Sequence, residues 1–274
     1  MKIAQVYIND QIRLGIIEAV RVTPIHFSGT MIDFITGMPQ WKPDGPSIPL
    51  DQVQFAPAVS NPSKIIALGL NYLDHAAEGK VEVPKVPLVF AKFPNSLIGH
   101  REKITWEAAI TQKVDFEAEL AVVIGKEVHS SDEKEVMEAV FGYTCANDVS
   151  ARDLQFGDGQ WVRGKSLDTF CPLGPWIVTR EDIPDPHALR IRSIVNGQEM
   201  QASNTGMMIF KLPPLLAFLS HHFSLMPGDV ILTGTPQGVG AFRDPPVYLQ
   251  DGDEVVVDIE GIGSLLNTCR VLQP

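Results

Sequence analysis

"VDFEAELAVVIG", residues 114–125, alternates like a β-strand with two unlike faces. Side chains two residues apart in a strand point to the same face. One face carries Phe116, Ala118, Leu120, Val122 and Ile124, and the other carries Asp115, Glu117 and Glu119. The segment therefore predicts a core strand with three carboxylates on one face. Because the chain already has a net charge of −11, this alignment of like charges needs a physical explanation.

The composition limits the possible partners. The 274 residues are 45% hydrophobic and 20% charged, which is typical of a globular protein of one or two domains. Asp and Glu number 33 against 22 Lys and Arg. A nucleic-acid surface needs basic side chains to neutralise phosphates, so this balance argues against a nucleic-acid partner. We expect a small-molecule ligand instead.

The chain shows no targeting signal at its start. "MKIAQVYIND" lacks the basic segment and apolar run of a signal peptide, and apolar stretches such as "LAVVIG" are much shorter than a membrane span. We therefore expect a cytoplasmic protein without a membrane partner. Cys145, Cys171 and Cys269 are odd in number and widely spaced, which predicts reduced, mostly buried thiols and neither a disulfide framework nor a zinc site.

Turn signals divide the chain into a short N-terminal region and a long main region. "SNPSK" at 60–64 follows a Pro- and Gly-rich stretch and precedes the apolar strand "KIIALGL". Residues 1–60 are predicted to form a small β-rich domain, and residues 61–274 the main domain. In the main domain, "VNG" at 195–197 and "DGD" at 251–253 predict hairpins, and "PGDVILTGT" predicts a turn directly before a strand.

Two segments have helical spacing. "SSDEKEVMEAVF" offers Ser130 as an N-cap with Glu133 three residues later, and "PPLLAFLSHHFSL" begins with prolines, which the first turn of a helix tolerates. Predicted strands outnumber helices, and the two do not alternate regularly. The predicted fold class is therefore α+β, rich in β-structure and built on a mixed, strongly bent sheet.

The acidic face of the opening segment has two explanations. An edge strand would keep its carboxylates in water. Alternatively, a cation lies there, because neighbouring carboxylates repel each other and a buried, unpaired carboxylate is costly. Glu117 and Glu119, at i and i+2, can both reach one ion, and all-oxygen ligation selects a hard cation such as Mg2+, Mn2+ or Ca2+.

"ANDVSARDLQ" offers a third metal ligand and a place for an anionic substrate. Ser150 and Asp153 form a capping-box pattern, so a helix is predicted to start near Ser150, with Asp148 in the loop before it. Arg152 and Gln155 then share a face near the helix N-terminus, where an anion would be stabilised. Asp148 as an alternative cap and Arg152 in an intrahelical ion pair fit the pattern equally well.

Three further segments supply candidate catalytic and binding groups. In "GLNYLDHAAEGK", a short helical turn places His75 and Glu78 on one face, either as a general base with its orienting carboxylate on a mobile lid or as a surface pair. Lys165 stands alone among Gly, Ser and apolar neighbours, and a solvated lysine is the alternative. "LTGTPQGVG" lacks the end of a phosphate-binding loop and is interpreted as a tight loop that offers the Thr235 hydroxyl and backbone N–H groups.

The order of these segments resembles that of the fumarylacetoacetate hydrolase (FAH) superfamily. Over about residues 62–272, six blocks are similar to the family's successive blocks: "DFEAEL", "NDVSARDLQ", "GKSLDTFCPLGP", "VNGQEMQASNTGMMIF", "LMPGDVILTGTPQGVG" and "LQDGDEVVVDIEGIGSLLN". The resemblance implies a mixed β-sandwich roll, usually a homodimer, with one Mg2+ or Mn2+ per subunit and Ca2+ as a substitute. It implies Glu117, Glu119 and Asp148 as metal ligands, His75, Glu78 and Lys165 as catalytic groups, and Arg152, Gln155 and Thr235 as substrate contacts.

The activity implied by the resemblance is cleavage of a C–C bond. A 2-oxo acid with a second carbonyl at C4 would bind the ion, His75 would activate the attacking water, and the metal would stabilise the enolate that leaves. The first expectation is hydrolysis of a 2,4-dioxo acid, an acylpyruvate such as fumarylpyruvate or a diketo-deoxy sugar acid. The alternatives are decarboxylation of oxaloacetate, isomerisation of a 2-hydroxy-dienedioate and, in a different class, non-catalytic binding of a small acid through the metal.

Overall fold

Strands make up most of the regular structure of residues 1–273, which the computed structural model describes. In chain order they are β1 (Lys2–Ile8), β2 (Gln11–Glu18), β3 (Arg21–Pro24), β4 (Ile48–Pro49), β5 (Ile65–Gly69), β6 (Leu88–Lys92), β7 (Leu97–Ile98), β8 (Lys103–Glu107), β9 (Val114–Asp115), β10 (Ala118–Ile124), β11 (Val140–Asn147), β12 (Ser150–Ala151), β13 (Cys171–Thr179), β14 (Arg190–Val195), β15 (Gln198–Asn204), β16 (Val230–Leu232), β17 (Glu254–Ile259) and β18 (Gly263–Leu272). The α-helices are α1 (Met31–Gly37), α2 (Leu73–Glu78), α3 (Glu133–Glu138), α4 (Arg152–Gly157), α5 (Val162–Lys165) and α6 (Leu212–His222). The predicted β-rich α+β class is confirmed.

The strands form two main sheets. The large sheet has 11 strands, in the order β4-β3-β2-β1-β13-β11-β10-β16-β5-β6 with β7 beside β13, and the second has five, in the order β15-β14-β17-β18-β8. β9 and β12 pair separately. Most neighbours are antiparallel, but β16 pairs with β5 and β18 with β8 in parallel, so both sheets are mixed. Within residues 1–273, no helix has the length and apolarity needed to cross a membrane.

β10 lies inside the large sheet, between β11 and β16. Leu120, Val122 and Ile124 belong to the larger core together with apolar side chains of α6, while Ala121 and Val123 belong to a second core. Burying one such aliphatic side chain stabilises the fold by roughly 1.5–3 kcal/mol. The edge-strand explanation of the acidic face is therefore wrong, because β10 is paired on both sides and covered on both faces.

Residues 1–60 extend the large sheet. β1 pairs antiparallel with β13, with Ile3 opposite Ile177, and β2, β3 and β4 follow beyond it. α1 buries Phe34 in the second core, which also contains Ala121 of β10. The division into two domains at residue 60 stays a prediction.

The turn predictions have different outcomes. "VNG" joins β14 and β15 with left-handed backbone at Asn196 and Gly197, whose φ angles are 51° and 79°, as a tight hairpin requires. A turn at Gly228 precedes β16, as predicted. The "DGD" hairpin is wrong, because the residues before it form no strand. The Gly252 N–H group donates to the Cys269 carbonyl of β18 instead, so the turn only leads into β17.

The helix predictions are partly corrected. Asp132, not Ser130, caps α3, because its side chain accepts the Glu135 N–H group at 2.9 Å. The Ser130 hydroxyl accepts the Asp132 N–H group at 3.1 Å and so turns the chain just before the helix. Prolines do lie in the first turn of α6, as predicted. All three cysteines are buried and free, as predicted.

His100 links stability to pH through its buried ring. Its Nδ1 atom accepts the Leu266 N–H group at 3.1 Å, and burial, with a smaller effect of the Arg101 charge, lowers its pKa to about 4. The unfolded chain takes up this proton near the ordinary pKa of about 6.5. Stability conferred by the neutral ring is therefore present above that pH and is lost as the pH falls towards the folded pKa.

As the pH falls from about 7 to about 4, we expect the free energy of unfolding of the unmodified protein to fall by about 2–3 kcal/mol more than that of the His100→Asn variant. The reason is that asparagine keeps a hydrogen-bond acceptor but does not titrate. Urea unfolding at several pH values measures the difference. His129→Asn, at an exposed histidine, is the matched control and should follow the unmodified protein. Identical pH profiles for the two asparagine variants would contradict this role of His100.

Candidate active site

A cavity of about 170 Å³ lies between β5, β6, α2, α4 and α5. Its polar lining consists of residues that the sequence had indicated: His75, Glu117, Arg152, Gln155, Lys165 and Thr235. The rest of the lining is mainly aromatic and aliphatic. Pockets for drug-sized ligands measure roughly 300–1,000 Å³, so this cavity suits a smaller molecule.

Strand pairing brings the three predicted metal ligands together. β10 and β11 pair with Ala118 opposite Asn147, so Asp148 follows next to the start of β10, and its N–H group donates to the Glu117 carbonyl at 2.9 Å. One carboxylate oxygen from each of Glu117, Glu119 and Asp148 lies within 4.8 Å of the others. All three side chains are buried. This acidic cluster could bind a divalent cation.

Lys165 is buried against the acidic cluster and is not a solvated lysine. Its Nζ atom lies 2.7 Å from both Glu117 Oε2 and Asp148 Oδ2. Burial opposes the charged form, but Asp148 and Glu117 raise the pKa of Lys165, so the ammonium stays protonated. Burial alone would raise the pKa of Glu117, but Lys165 and Arg152 lower it to about 2. Of the three ammonium N–H groups, one is left for a ligand.

Arg152 is fixed by a carboxylate outside the predicted metal ligands. Its Nε atom donates to Asp115 Oδ2 at 2.8 Å, and its terminal nitrogens lie 2.7 Å from Glu117 Oε1 and 2.9 Å from Gln155 Oε1. Burial opposes the charged form, but Glu117 and Asp115 raise the pKa of Arg152. The intrahelical ion pair is therefore wrong, because Arg152 reaches across to the strand residues. Asp115, the first acid of the opening segment, positions Arg152.

α4 begins at Arg152 without the predicted capping box. Ser150 lies in β12 because β12 pairs with β9, which keeps it extended. Its hydroxyl donates to the Asp148 carbonyl at 2.8 Å, and Asp153 accepts the Thr111 hydroxyl at 2.6 Å. The Asp148 carboxylate binds two lysines, so Asp148 does not cap the helix either.

Lys92 belongs to the site although the sequence analysis missed it. Its side chain is fully buried at the end of β6, with Nζ 2.6 Å from Asp148 Oδ1, and it also donates to the Lys165 carbonyl. Lys92 and Lys165 therefore hold opposite oxygens of Asp148 and fix its orientation. The available signal was a single lysine within the apolar run "LVFAKF".

Glu119 is the least compensated member of the acidic cluster. Its Oε2 atom accepts the Gly234 N–H group at 2.7 Å, whereas Oε1 has no hydrogen-bond partner within residues 1–273. Burial, and then the charges of Asp148 and Glu117, raise the pKa of Glu119 well above its usual range. A divalent cation would coordinate this oxygen and offset the repulsion between the three carboxylates. The residues therefore fit a bound metal.

The balance of buried charges also indicates that the site fits a bound divalent cation. The buried carboxylates of the site are Asp115, Glu117, Glu119 and Asp148, and the buried cations among them are Lys92, Arg152 and Lys165. With all of them ionised, one negative charge is left over. A divalent cation would convert this into one positive charge, which suits an anionic ligand.

His75 and Glu78 form a pair at the cavity wall. His75 Nδ1 lies 3.3 Å from Glu78 Oε2, and Glu78 Oε1 accepts the Gly238 N–H group at 2.9 Å. The imidazole stacks on Phe242, with ring centroids 5.4 Å apart. Only 6% of His75 is exposed, so the surface-pair alternative is wrong. Because Nδ1 faces the carboxylate, Nε2 is left for a ligand.

The glycine-rich loop after β16 binds anions, but these anions are side chains of the protein. Its N–H groups at Gly234, Gly238 and Gly240 donate to Glu119, Glu78 and Asp115 at 2.7, 2.9 and 2.7 Å. Gly234 and Gly238 have φ angles of 94° and 98°, which other residues rarely adopt. The loop thus fixes one carboxylate of the acidic cluster, the carboxylate beside His75 and the carboxylate beside Arg152.

Thr235 lines the cavity, but its hydroxyl already has two partners in the protein. It donates to the Ala118 carbonyl at 3.0 Å and accepts from Gln201 Nε2 at 2.8 Å. One lone pair is left for a ligand donor. The role of Thr235 as a substrate contact stays a prediction, as do the catalytic roles of the other predicted residues.

Known proteins are similar to this chain in both sequence and fold. Residues 64–270 match the family described as fumarylacetoacetate (FAA) hydrolase, C-terminal. The chain is 50% identical over 223 residues, 81% of this chain and 71% of the relative, to a Rattus norvegicus protein named oxaloacetate tautomerase Fahd2a, mitochondrial. It is similar to the fumarylacetoacetate hydrolase (EaFAH) of Exiguobacterium antarcticum, with a TM-score of 0.90 and 37% identity over 99% of this chain and 100% of that chain. A 5-carboxymethyl-2-hydroxymuconate delta-isomerase from Mycobacterium smegmatis gives a TM-score of 0.84 and 38% identity over the same shares.

We expect Lys92→Met to lower the free energy of unfolding by about 3–5 kcal/mol, because it leaves a buried carboxylate oxygen without its cation. Urea unfolding measures the loss. Lys134→Met is the control, since Lys134 is 87% exposed and lies 3.9 Å from Glu138. Such a surface pair is worth at most about 0.5 kcal/mol. Comparable losses in the two variants would contradict a buried structural charge at Lys92.

We expect Glu119→Gln to be at least as stable as the unmodified protein after chelation, because the amide removes repulsion and keeps an acceptor for Gly234. Added Mg2+ or Mn2+ should raise the Tm of the unmodified protein but not that of Glu119→Gln. Thermal unfolding with and without metal measures both effects, and the partly exposed surface residue Glu138→Gln serves as control. An equal metal response in Glu119→Gln would argue against Glu119 as a ligand.

Proposed function

The chain belongs to the fumarylacetoacetate hydrolase family, and we propose that it uses a divalent cation to interconvert the keto and enol forms of a 2-oxo acid. The observation that carries the proposal is that His75, tethered to Glu78, and Glu117 of the acidic cluster line one small cavity. A base beside a charge-stabilising centre can move a proton next to a carbonyl group. Oxaloacetate is the first substrate to test, because the rat relative is named an oxaloacetate tautomerase.

Arg152 and Lys165 would bind the carboxylate of the substrate. Lys165 has one ammonium N–H group left after its two ion pairs, and the guanidinium of Arg152 has further donors. Asp115 and Glu117 already hold Arg152 in place. The substrate would therefore be oriented without ordering a flexible side chain.

His75 would carry the proton. With Nδ1 directed at Glu78, Nε2 is the atom that takes a proton from the carbon next to the 2-oxo group, and the same atom can return it. Glu78 stabilises the imidazolium that forms, and the Gly238 N–H group keeps Glu78 in position. Phe242 covers the imidazole, which limits the access of water and strengthens these interactions.

Glu117, Glu119 and Asp148 are the residues that would hold the cation, and their all-oxygen set favours Mg2+ or Mn2+. The bound cation would supply Lewis acidity towards the 2-oxo group. Lys92 and Lys165 keep Asp148 in a fixed orientation for this purpose.

Hydrolysis of a 2,4-dioxo acid is the second candidate. It would use the same residues, with His75 activating a water instead of removing a carbon-bound proton. The similarity to the E. antarcticum hydrolase, at a TM-score of 0.90, favours it. Oxaloacetate decarboxylation, isomerisation of a 2-hydroxy-dienedioate and non-catalytic acid binding stay predictions.

The assembly and location of the protein are further proposals. A homodimer follows from analogy with the family alone, and light scattering in solution tests it. The cytoplasmic location and the lack of nucleic-acid and membrane partners stay predictions.

We expect His75→Ala to lower kcat for oxaloacetate tautomerisation by about 10²–10⁴-fold while the metal still raises the Tm. The reason is that His75 handles the proton but is not a member of the acidic cluster. The assay follows the enol absorbance of oxaloacetate with chelator-treated protein and added Mg2+ or Mn2+. His221→Ala, at an exposed histidine, is the control. If the metal response disappears together with activity, the assigned role of His75 is wrong.

The same preparation separates the candidate reactions. Acetylpyruvate, fumarylpyruvate and a 2,4-dioxo sugar acid would release pyruvate under hydrolysis, and oxaloacetate would release CO2 under decarboxylation. Loss of enol absorbance without either product indicates tautomerisation. Metal-dependent protection against heat without any product indicates a binding protein.

A further inference from the structure

One half of the active-site cavity is aromatic. Phe90, Phe156, Trp161 and Phe242 contribute to its lining. The rings of Phe90 and Trp161 meet edge to face, with centroids 5.4 Å apart. The Lys165 ammonium lies 5.2 Å from the Phe90 ring centroid. The aromatic half therefore begins directly beside the polar half.

The backbone makes room for the indole of Trp161. A Cβ atom added at Gly69 would lie 2.4 Å from the indole ring, so only glycine lets the indole lie against β5. Phe90 on β6 supports the indole from a second strand. The aromatic wall is thus built on the paired strands β5 and β6.

The cations that line the cavity are already paired within the protein. These pairs are Arg152 with Asp115 and Glu117, and Lys165 with Glu117 and Asp148. Their remaining donors can hold one carboxylate. No further cationic side chain of residues 1–273 lines the cavity. A second carboxylate, at the far end of a substrate, would lie against aromatic rings and lose hydration without a partner.

We infer that the site takes a 2-oxo acid whose far end is an apolar, ring-sized group, so that an arylpyruvate is a better substrate than oxaloacetate. This inference rests on the proposed function, because it assigns a substrate class to the same proton transfer. The C3–H bond breaks and its proton passes to His75 Nε2. The C–H electron pair forms the C2=C3 double bond while the C2=O π pair moves to the oxygen, and transfer of the proton from His75 to that oxygen completes the enol, so no co-reactant is needed. An aryl ring gains edge-to-face contacts with Phe90 and Trp161.

The test compares phenylpyruvate with oxaloacetate on the metal-loaded protein, following the enol absorbance of each. We expect kcat/KM for phenylpyruvate to exceed that for oxaloacetate by about tenfold or more, because burying an aromatic ring adds at least this factor to binding. A preference for oxaloacetate would overturn the inference while leaving the proposed function intact. If neither acid reacts, the proposed function fails, and the Tm shifts produced by the two acids still decide which one the cavity binds better.

Variants at Phe156, a 61% exposed residue at the mouth of the cavity, change the specificity without disturbing the core. Phe156→Ala should lower the preference for phenylpyruvate severalfold, mainly through KM. Phe156→Arg should shift the preference towards oxaloacetate, because it supplies the missing cation. Phe223→Ala, at an exposed phenylalanine on the end of α6, is the matched control and should keep the original ratio. An unchanged ratio in both Phe156 variants would overturn the aromatic subsite.

Discussion

Buried carboxylates at the start of β10 impose the condition that the surrounding structure has to meet. A buried carboxylate costs several kcal/mol unless cations or N–H donors compensate it. Here the cations come from the strand β6 and the helices α4 and α5, and the N–H donors come from the glycine-rich loop. Because these donors belong to four different parts of the chain, the contacts that compensate the carboxylates also fix those parts relative to β10. The shape of the cavity is therefore a consequence of charge compensation.

The compensation is incomplete at Glu119, which makes this residue the candidate position for a bound cation. Asp115 receives Arg152 and three backbone N–H groups, whereas one oxygen of Glu119 receives no donor within residues 1–273. The apolar side chains that follow along β10 are buried, and their burial offsets the free-energy cost of the uncompensated Glu119 oxygen. A fold with one locally unfavourable group in an otherwise consistent site is typical of a functional position. The group is also the one that a divalent cation would relieve.

Local sequence patterns identified the site residues whose positions depend on their neighbours in the chain. They did not identify contacts that depend on which strands pair in the sheet. Glu117 and Glu119 were found because strand alternation alone places them on one face, and the position of His75 near Glu78 follows from helical spacing. Lys92 was missed because β6 is far from β10 in the chain, and no local pattern shows that its side chain reaches Asp148. The capping box at Ser150 failed for the same reason, since pairing of β12 with β9 outweighed the local signal.

The two halves of the cavity differ in how freely they can change. The polar half is part of the charge network, so a substitution at Lys165 or Arg152 removes compensation from a buried carboxylate and weakens the fold. The aromatic rings at the mouth do not compensate any buried charge, and Phe156 and Phe242 are 61% and 41% exposed. In the proposed reaction, binding of the substrate carboxylate is therefore tied to stability, whereas the preference for the far end of the substrate is not. This separation gives a physical reason why similar proteins with one scaffold carry the names of a tautomerase, a hydrolase and an isomerase.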